Sequence, residues 1–433
     1  VKYMNTDPSA PTTGAHPATE TTPRSRGSFR SLLELAGPGF FPLAFFARLP
    51  LAMLTIGTLT LISTATGSYA SGGIAAGAVG VGSAIGAPLI GYAADRWGQR
   101  PVLLPVALLH ALVVAVLILA GIGIIDSESL LLVIVISFAA GASCPQVGPL
   151  ARVRWMALTQ GRSRGRRELE TALSYESTVD ELTFVMGPAL VGVLASLAAP
   201  WLPLALAAVL TAVLVPAFAV HPTSHAIELQ DSGAEPVPGS GWIPARVVRV
   251  GLCVLGMTGM GTLFGSVSAG AVSYAGLFGH ASAGGLLYAA LGLTSAIAAL
   301  SVSLWPRGWA QPVRWAACAL LLIPLALLLQ VPDTMGTMVV FLLLIGLPIG
   351  PILVTIFTVG GDVAPIGRMG TVMTMLASGI VVGTAIGNGF AGVLADVVGP
   401  QGAFLVAAAA AVVLFGSGAG TYALGRVRRT DSV

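Results

Sequence analysis

Arg48, Asp180 and Glu181 are ionisable side chains set deep within long apolar runs of this chain. A charge at the centre of a bilayer costs roughly 3 kcal/mol or more, so such residues pair with one another, bind a ligand or carry a proton. Arg48 falls some ~15 Å along its helical run, and the two acids fall at nearly the same depth in theirs. An ion pair is the expected compensation. Neighbouring helical residues diverge by about 100°. Asp180 therefore shares a face with Glu176, Thr183 and Gly187, and Glu181 shares one with Ser177, Pro188 and Gly192. For any buried carboxylate, desolvation disfavours the charge and a nearby guanidinium favours it, so a moving Arg48 would switch proton affinity. Asp180 is the preferred coupling group, because Glu181 shares the Gly-Pro face; a permanent structural ion pair fits the same residues.

Elements able to position such groups follow from the composition. The 433 residues are 55% hydrophobic and 9% charged, against roughly 25% charged in a soluble domain. Mean hydropathy is +0.89. These values exclude a cytosolic enzyme, a nucleic-acid binder and a disulfide-stapled secreted domain. Apolar runs long enough for a ~30 Å hydrocarbon core recur at 39–66, 73–94, 101–124, 130–151, 172–198, 201–220, 247–278, 282–305, 313–330, 336–358, 369–394 and 401–425. The expected fold class is an all-α membrane protein with twelve transmembrane helices in two pseudo-symmetric six-helix halves. Residues 1–35 read as a disordered cytoplasmic tail rather than a signal peptide, 36–220 as the first half and 221–245 as a cytoplasmic linker. Residues 246–427 form the second half, and 428–433 a short tail.

Charge placement orients the spans. Arg96, Arg100, Arg152, Arg154, Arg162, Arg164, Arg166 and Arg167 fall in loops on one side, with Arg246, Arg249, Arg307, Arg314, Arg368 and Arg426. The opposite loops carry Asp126, Glu128, Asp333 and Asp396 and no Lys or Arg. This positive-inside pattern places both termini in the cytoplasm, in a plasma or inner membrane. Cys144, Cys253 and Cys318 lie within apolar runs without ligand spacing, and neither a metal nor a cofactor is expected. His110 reads as a packing residue, and His221 and His225 as solvated loop residues.

The halves share segments. Gly187-Pro-Ala-Leu-Val-Gly192-Val-Leu-Ala195 is echoed by Gly387-Asn-Gly-Phe-Ala-Gly392-Val-Leu-Ala395. A duplicated six-helix unit is the architecture of secondary transporters, with the substrate site near mid-membrane. The loop between spans 2 and 3 reads Gly91-Tyr-Ala-Ala-Asp95-Arg96-Trp-Gly98-Gln-Arg100. Here the chain resembles the major facilitator superfamily, whose signature G-x-x-x-D-R-x-G-x-R is present at every fixed position.

The resemblance implies that Asp95 braces the cytoplasmic gate against the start of span 11 while Arg96 and Arg100 pair with nearby acids. Arg307 stands where the repeat would place a second Asp, so the latch is expected on one side only. Gly187, Pro188 and Gly192 are similar to the Gly-Pro motif of superfamily antiporters, which shapes the contact between halves and accompanies export. The family also implies a cavity lined by spans 1, 4, 7 and 10. These offer Arg48, Thr55, Gln146, Met257, Thr258, Gly261, Thr262, Phe264 and Thr355.

A P-loop is absent, so energy must come from a gradient. The favoured function is proton-coupled export of a small amphipathic or hydrophobic compound by a monomer in the lipid bilayer, its partners being that small molecule and protons. The span 4 Arg usual in drug exporters is missing. A proton-coupled or facilitated importer is the alternative, and a non-transporting membrane sensor or scaffold the third class.

Overall fold

A computed structural model describes residues 28–123, 129–163, 165–227, 244–279, 284–305 and 309–430. Among these, twelve helices are long and apolar enough to cross a membrane. They are spans 1 (Phe40–Thr66), 2 (Ser71–Trp97), 3 (Gln99–Gly121), 4 (Leu130–Thr159), 5 (Gly165–Leu197) and 6 (Leu202–Val220). The second half comprises spans 7 (Pro244–Leu277), 8 (Gly284–Leu304), 9 (Gln311–Leu328), 10 (Met335–Val363), 11 (Met369–Val398) and 12 (Pro400–Leu424).

The two halves repeat one packing pattern. Span 1 packs on 5, 2 on 4 and 3 on 6, and in the second half 7 packs on 11, 8 on 10 and 9 on 12. Close approach rests on glycine: a Cβ at Gly261 of span 7 would overlap the Ile380 carbonyl of span 11. Without a hydrophobic drive between helices in lipid, such backbone contact supplies the packing energy.

Spans 1 and 4 are each interrupted. Span 1 is built from Phe40–Phe46 and Leu49–Thr66, with Arg48 capping the second segment. Span 4 is built from Leu130–Ala142 and Val147–Thr159, with Gln146 at the second N-cap. Pro50 and Pro145 account for the breaks, since proline lacks a backbone donor and disfavours helix in the residue before it. Discontinuous helices at mid-membrane typify transporter binding sites, because the freed ends can face a ligand.

Three expectations are corrected. Ser28–Ala36 is an amphipathic helix, not part of a disordered tail, and buries Leu32 and Ala36 against Phe40 and Trp155. Span 4 continues to Thr159 and span 5 begins at Gly165, so Arg152 and Arg154 belong to a helix rather than a loop. His221 is half-buried, its ring 5.4 Å from that of Phe40; burial and the Arg154 charge hold its imidazole below the usual histidine range. Asp126, Glu128, Arg164, Arg307, residues 1–27 and most of the linker lie outside the described residues.

The halves meet through spans 2 and 11, 5 and 8, 4 and 11, and 5 and 10. The hydrogen bonds between them lie from mid-depth to the arginine-rich face: Asp95 with Gly370 and Thr371, Thr178 with Ala296, and Glu181 with Ser295. Arg314 of span 9 lies 3.8 Å from Glu170 of span 5 at that face. Toward the opposite face, Gly192, Gly389 and Gly392 have no atom near enough to touch an added Cβ.

Candidate functional site

Arg48 is 95% buried and is held by the span 5 acids one helical turn apart. Its Nη2 pairs with Glu176 Oε2, and its Nη1 donates to Asp180 Oδ1 at 3.2 Å. Trp155 Nε1 completes the Glu176 carboxylate at 2.6 Å. Asp180 also accepts from Arg152 Nη2 at 2.6 Å. The guanidinium of Arg152 lies 3.8 Å from the centroid of the Phe357 ring on span 10, in the other half. Two cations and two anions are thereby paired in one continuous network, the arrangement that makes burial tolerable. Glu176, Arg152, Trp155 and Phe357 were not picked out from the sequence. Glu176 was visible as the residue one turn before Asp180, and Arg152 was hidden by counting it in a loop.

This network forms one wall of a narrow cavity whose free interior is about 50 Å³. Arg48, Gln146, Arg152, Asp180 and Thr183 from the first half supply its polar groups. Phe357, Ala377, Ile380 and Val381 from the second half supply an apolar wall. Gly148 keeps space open between the charges: a Cβ there would sit 3.2 Å from Asp180 Oδ1 and 3.5 Å from Arg48 Nε. A smaller pocket of about 20 Å³ adjoins it and shares Arg152, Asp180, Phe184, Phe357 and Ile380. It adds Ser177, Glu181, Phe264 and Leu353.

Of the residues expected in the cavity, Arg48, Gln146 and Phe264 line these spaces. Thr258, Gly261 and Thr262 lie instead at the contact of spans 7 and 11, where added Cβ atoms at Gly383 and Gly387 would strike the Thr258 and Thr262 carbonyls. Thr355 is buried and bonds its own helix at the Pro351 carbonyl. Thr55 is exposed away from both spaces, and Met257 belongs to the apolar core of the second half. Helix rotation, which a single sequence leaves free, decided each of these.

Glu181 is separate from the Arg48 network. Its Oε1 accepts from the Ser295 hydroxyl of span 8 at 2.8 Å, across the seam between halves. Among the described residues no basic side chain forms an ion pair with it. Gly187 packs on Ala52 of span 1 within its own half, Pro188 is exposed and Gly192 is open. Gly187 thus packs within the first half, and Gly192 has no neighbour from the second half against an added Cβ.

At the arginine-rich face, Asp95 reaches the first turn of span 11. It accepts from the Gly370 N–H at 2.7 Å and from the Thr371 N–H and hydroxyl at 2.6 Å each. Free N–H groups and the positive end of the helix dipole favour an anion there. The motif glycines have physical causes. A Cβ at Gly91 would overlap Thr374 and Gly370, and Gly98 adopts φ +88, a conformation that favours glycine. Arg96 bonds the Tyr92 hydroxyl at 3.4 Å instead of an acid, and Arg100 is exposed. Arg368 covers the Tyr92 ring from the second half at 4.6 Å. Arg154, fully buried, bonds Gln99, the Phe218 carbonyl and Thr223 and so ties spans 3, 4 and 6 together. His110 is buried against the Ala140 carbonyl at 3.0 Å, away from the cavity.

The sequence profile of the Major Facilitator Superfamily matches residues 40–378. Among solved structures, the human organic anion transporter MFSD10 (TETRAN) is similar at a TM-score of 0.62 and 19% identity, covering 90% of this chain and 99% of that one. The E. coli fucose:proton symporter FucP follows at 0.59 and 17%, covering 88% and 98%. A bacterial homologue of the iron transporter ferroportin, in an outward-facing state, gives 0.61 and 14% over 88% and 98%. A search of curated proteins finds no match.

Proposed function

The chain belongs to the major facilitator superfamily, and from that premise we propose that it exports a small amphipathic or hydrophobic compound in exchange for protons, by alternating access. The observation that carries this reading is the two-sided cavity, with a charged wall from the first half and an apolar wall from the second. A ligand with one polar end and an apolar body satisfies both walls at once. An importer of a polar solute would need hydrogen-bonding groups on each side, and the second half offers apolar side chains. The similar structures carry an organic anion, fucose with a proton, and iron, so their common fold does not choose among substrates.

The arginine-rich face is the cytoplasmic one on the positive-inside rule, with both termini there in a plasma or inner membrane. The bonds of Asp95, Thr178 and Glu181 then seal the inner side, and the cavity belongs to an outward-facing state. Coupling resides in the span 5 carboxylates, Asp180 and Glu181, acting with Arg48. Flux of a compound panel in proteoliposomes with an imposed pH gradient tests the proposal. Gradient-driven movement of apolar and amphipathic compounds toward the external side supports it. Accumulation only on the cytoplasmic side, or flux indifferent to the gradient, overturns it.

A further inference from the structure

Ser28–Ala36 carries more apolar surface than its contacts with the described residues cover. Going round the helix at about 100° per residue, Leu32 and Ala36 come first, then Phe29 and Leu33, then Arg30 and Glu34. Leu32 and Ala36 are buried in one cluster with Phe40, Trp155 and Ala172. Phe29 and Leu33 are left 45% and 44% exposed. Arg30 and Glu34 form an ion pair at 3.4 Å and point outward, their side chains 83% and 70% exposed. The helix thus has three sectors: one packed on the bundle, one apolar and uncovered, and one charged.

Depth decides what covers the apolar sector. The helix packs on span 5, whose 33 residues extend roughly 50 Å against a ~30 Å hydrocarbon core. About 10 Å of that span is left for the headgroup zone at each end. Ala172 lies about 10 Å from the Gly165 end of span 5, and Trp155 about 6 Å from the Thr159 end of span 4. The helix therefore sits where hydrocarbon gives way to headgroups, on the arginine-rich face. Gly37, at φ +78, and Pro38 end it before span 1 begins. Phe46 of span 1 does not line the cavity and is exposed to the same degree, so the apolar surface continues onto the span. The charges of Arg30 and Glu34 cancel, which leaves apolar insertion to hold the helix on a bilayer.

We infer that Ser28–Ala36 docks on the lipid surface, with Phe29 and Leu33 entering the boundary between headgroups and acyl chains while Arg30 and Glu34 stay in water. Docking there holds Leu32 and Ala36 on Phe40, whose ring meets that of Trp155 edge-on at 5.4 Å. Trp155 donates to Glu176, the partner of Arg48. The bilayer thereby supports the ion pair of the cavity from outside the bundle. The inference is independent of substrate and of transport direction.

The test uses the full chain, with Cys144, Cys253 and Cys318 replaced, in phosphatidylcholine nanodiscs. An environment-sensitive fluorophore is placed at Leu33→Cys on the apolar sector and at Glu34→Cys on the charged one; Phe29→Cys repeats the readout should Leu33→Cys fold poorly. The label at Leu33→Cys is expected to be quenched at least about threefold more by lipid carrying a doxyl group near the headgroup than by aqueous iodide, and the label at Glu34→Cys the reverse. Iodide quenching at Leu33→Cys equal to that at Glu34→Cys would put the sector in water. Protection from both quenchers would mean that protein covers it, either residues 1–27 or a second copy. Stronger quenching by a doxyl group near the chain ends would bury the helix in the hydrocarbon. Each of these overturns the inference. Phe29→Ser/Leu33→Ser is also expected to lower the melting temperature in nanodiscs by about 2 °C or more, whereas Arg30→Ser/Glu34→Ser, with a similar loss of helix propensity, should stay near wild type. A wild-type melting temperature for Phe29→Ser/Leu33→Ser, as a water-facing sector would give, overturns it as well.

Discussion

Asp95 holds Thr371 twice, through its backbone N–H and through its hydroxyl, each at 2.6 Å, across the boundary between the halves. The Gly370 N–H adds a third bond to the same carboxylate. Hydrogen bonds to an ionised group contribute about 1.5–3 kcal/mol, so the contact biases closure of the arginine-rich face by roughly tenfold to a hundredfold. Asp95→Asn is expected to lower transport by about that range while expression and melting temperature stay near wild type. Thr371→Val, which removes only the hydroxyl, should cost about fivefold at most. Initial transport rates of the folded variants check this, and unchanged rates in Asp95→Asn would remove the gate from Asp95.

The two acids that hold Arg48 differ in burial, and their loss should differ accordingly. Glu176 is fully buried, and Glu176→Gln leaves Arg48 short of a charge in a dry site; breaking a buried pair costs about 3–5 kcal/mol. The side chain of Asp180 is 27% exposed toward the cavity; Asp180→Asn leaves Glu176 in place on Arg48 and takes the acid from Arg152, a loss that the Phe357 ring and the cavity-facing position offset in part. Thermal unfolding in detergent should therefore show a clear loss for Glu176→Gln and a smaller one for Asp180→Asn. The reverse order would mean that Asp180, not Glu176, anchors Arg48.

Much of this architecture was legible beforehand. Helix number and the two halves follow from apolar run length, because a bilayer fixes span length, and the Asp95 contact is what the resemblance of its motif implies. Helix rotation was not legible. Thr262 and Thr355 looked like cavity residues, yet glycines on neighbouring spans and a buried packing face claimed them. Arg152 and Arg154 read as loop cations because arginine is rare inside membranes. Their guanidiniums are offset by Asp180 and Phe357 in one case and by Gln99 and Phe218 in the other, pairings that exist only once the helices are assembled.

Cavity placement makes an accessibility prediction. In a background with Cys144, Cys253 and Cys318 replaced, Val381→Cys should react with a membrane-impermeant thiol reagent added from outside. Thr355→Cys should not, since Thr355 is 1% exposed and bonded to its own helix. Substrate should slow labelling at Val381, which lines the apolar wall. Rapid labelling at Thr355 with protection at Val381 would place the aqueous route along the other face of span 10.

Closure of the arginine-rich face can be trapped at one further point. The Thr178 hydroxyl of span 5 donates to the Ala296 carbonyl of span 8 at 3.1 Å, one turn from Glu181 and beside Ser295. A disulfide needs Cα atoms within about 7 Å, and a side chain touching the facing backbone brings spans 5 and 8 into that range. Under the proposed alternating access these helices separate there when the cavity opens toward the arginine-rich face, so a covalent bond between them should hold the state described here. The Thr178→Cys/Ala296→Cys pair is expected to lose transport on oxidation and to recover it on reduction, while each single variant transports in both conditions. Oxidation should leave Val381→Cys labelling from outside intact in the combined variant, because the outer route stays open. Transport that persists in the fully cross-linked protein would show that the seam between spans 5 and 8 is permanent, and would end its role as a moving gate.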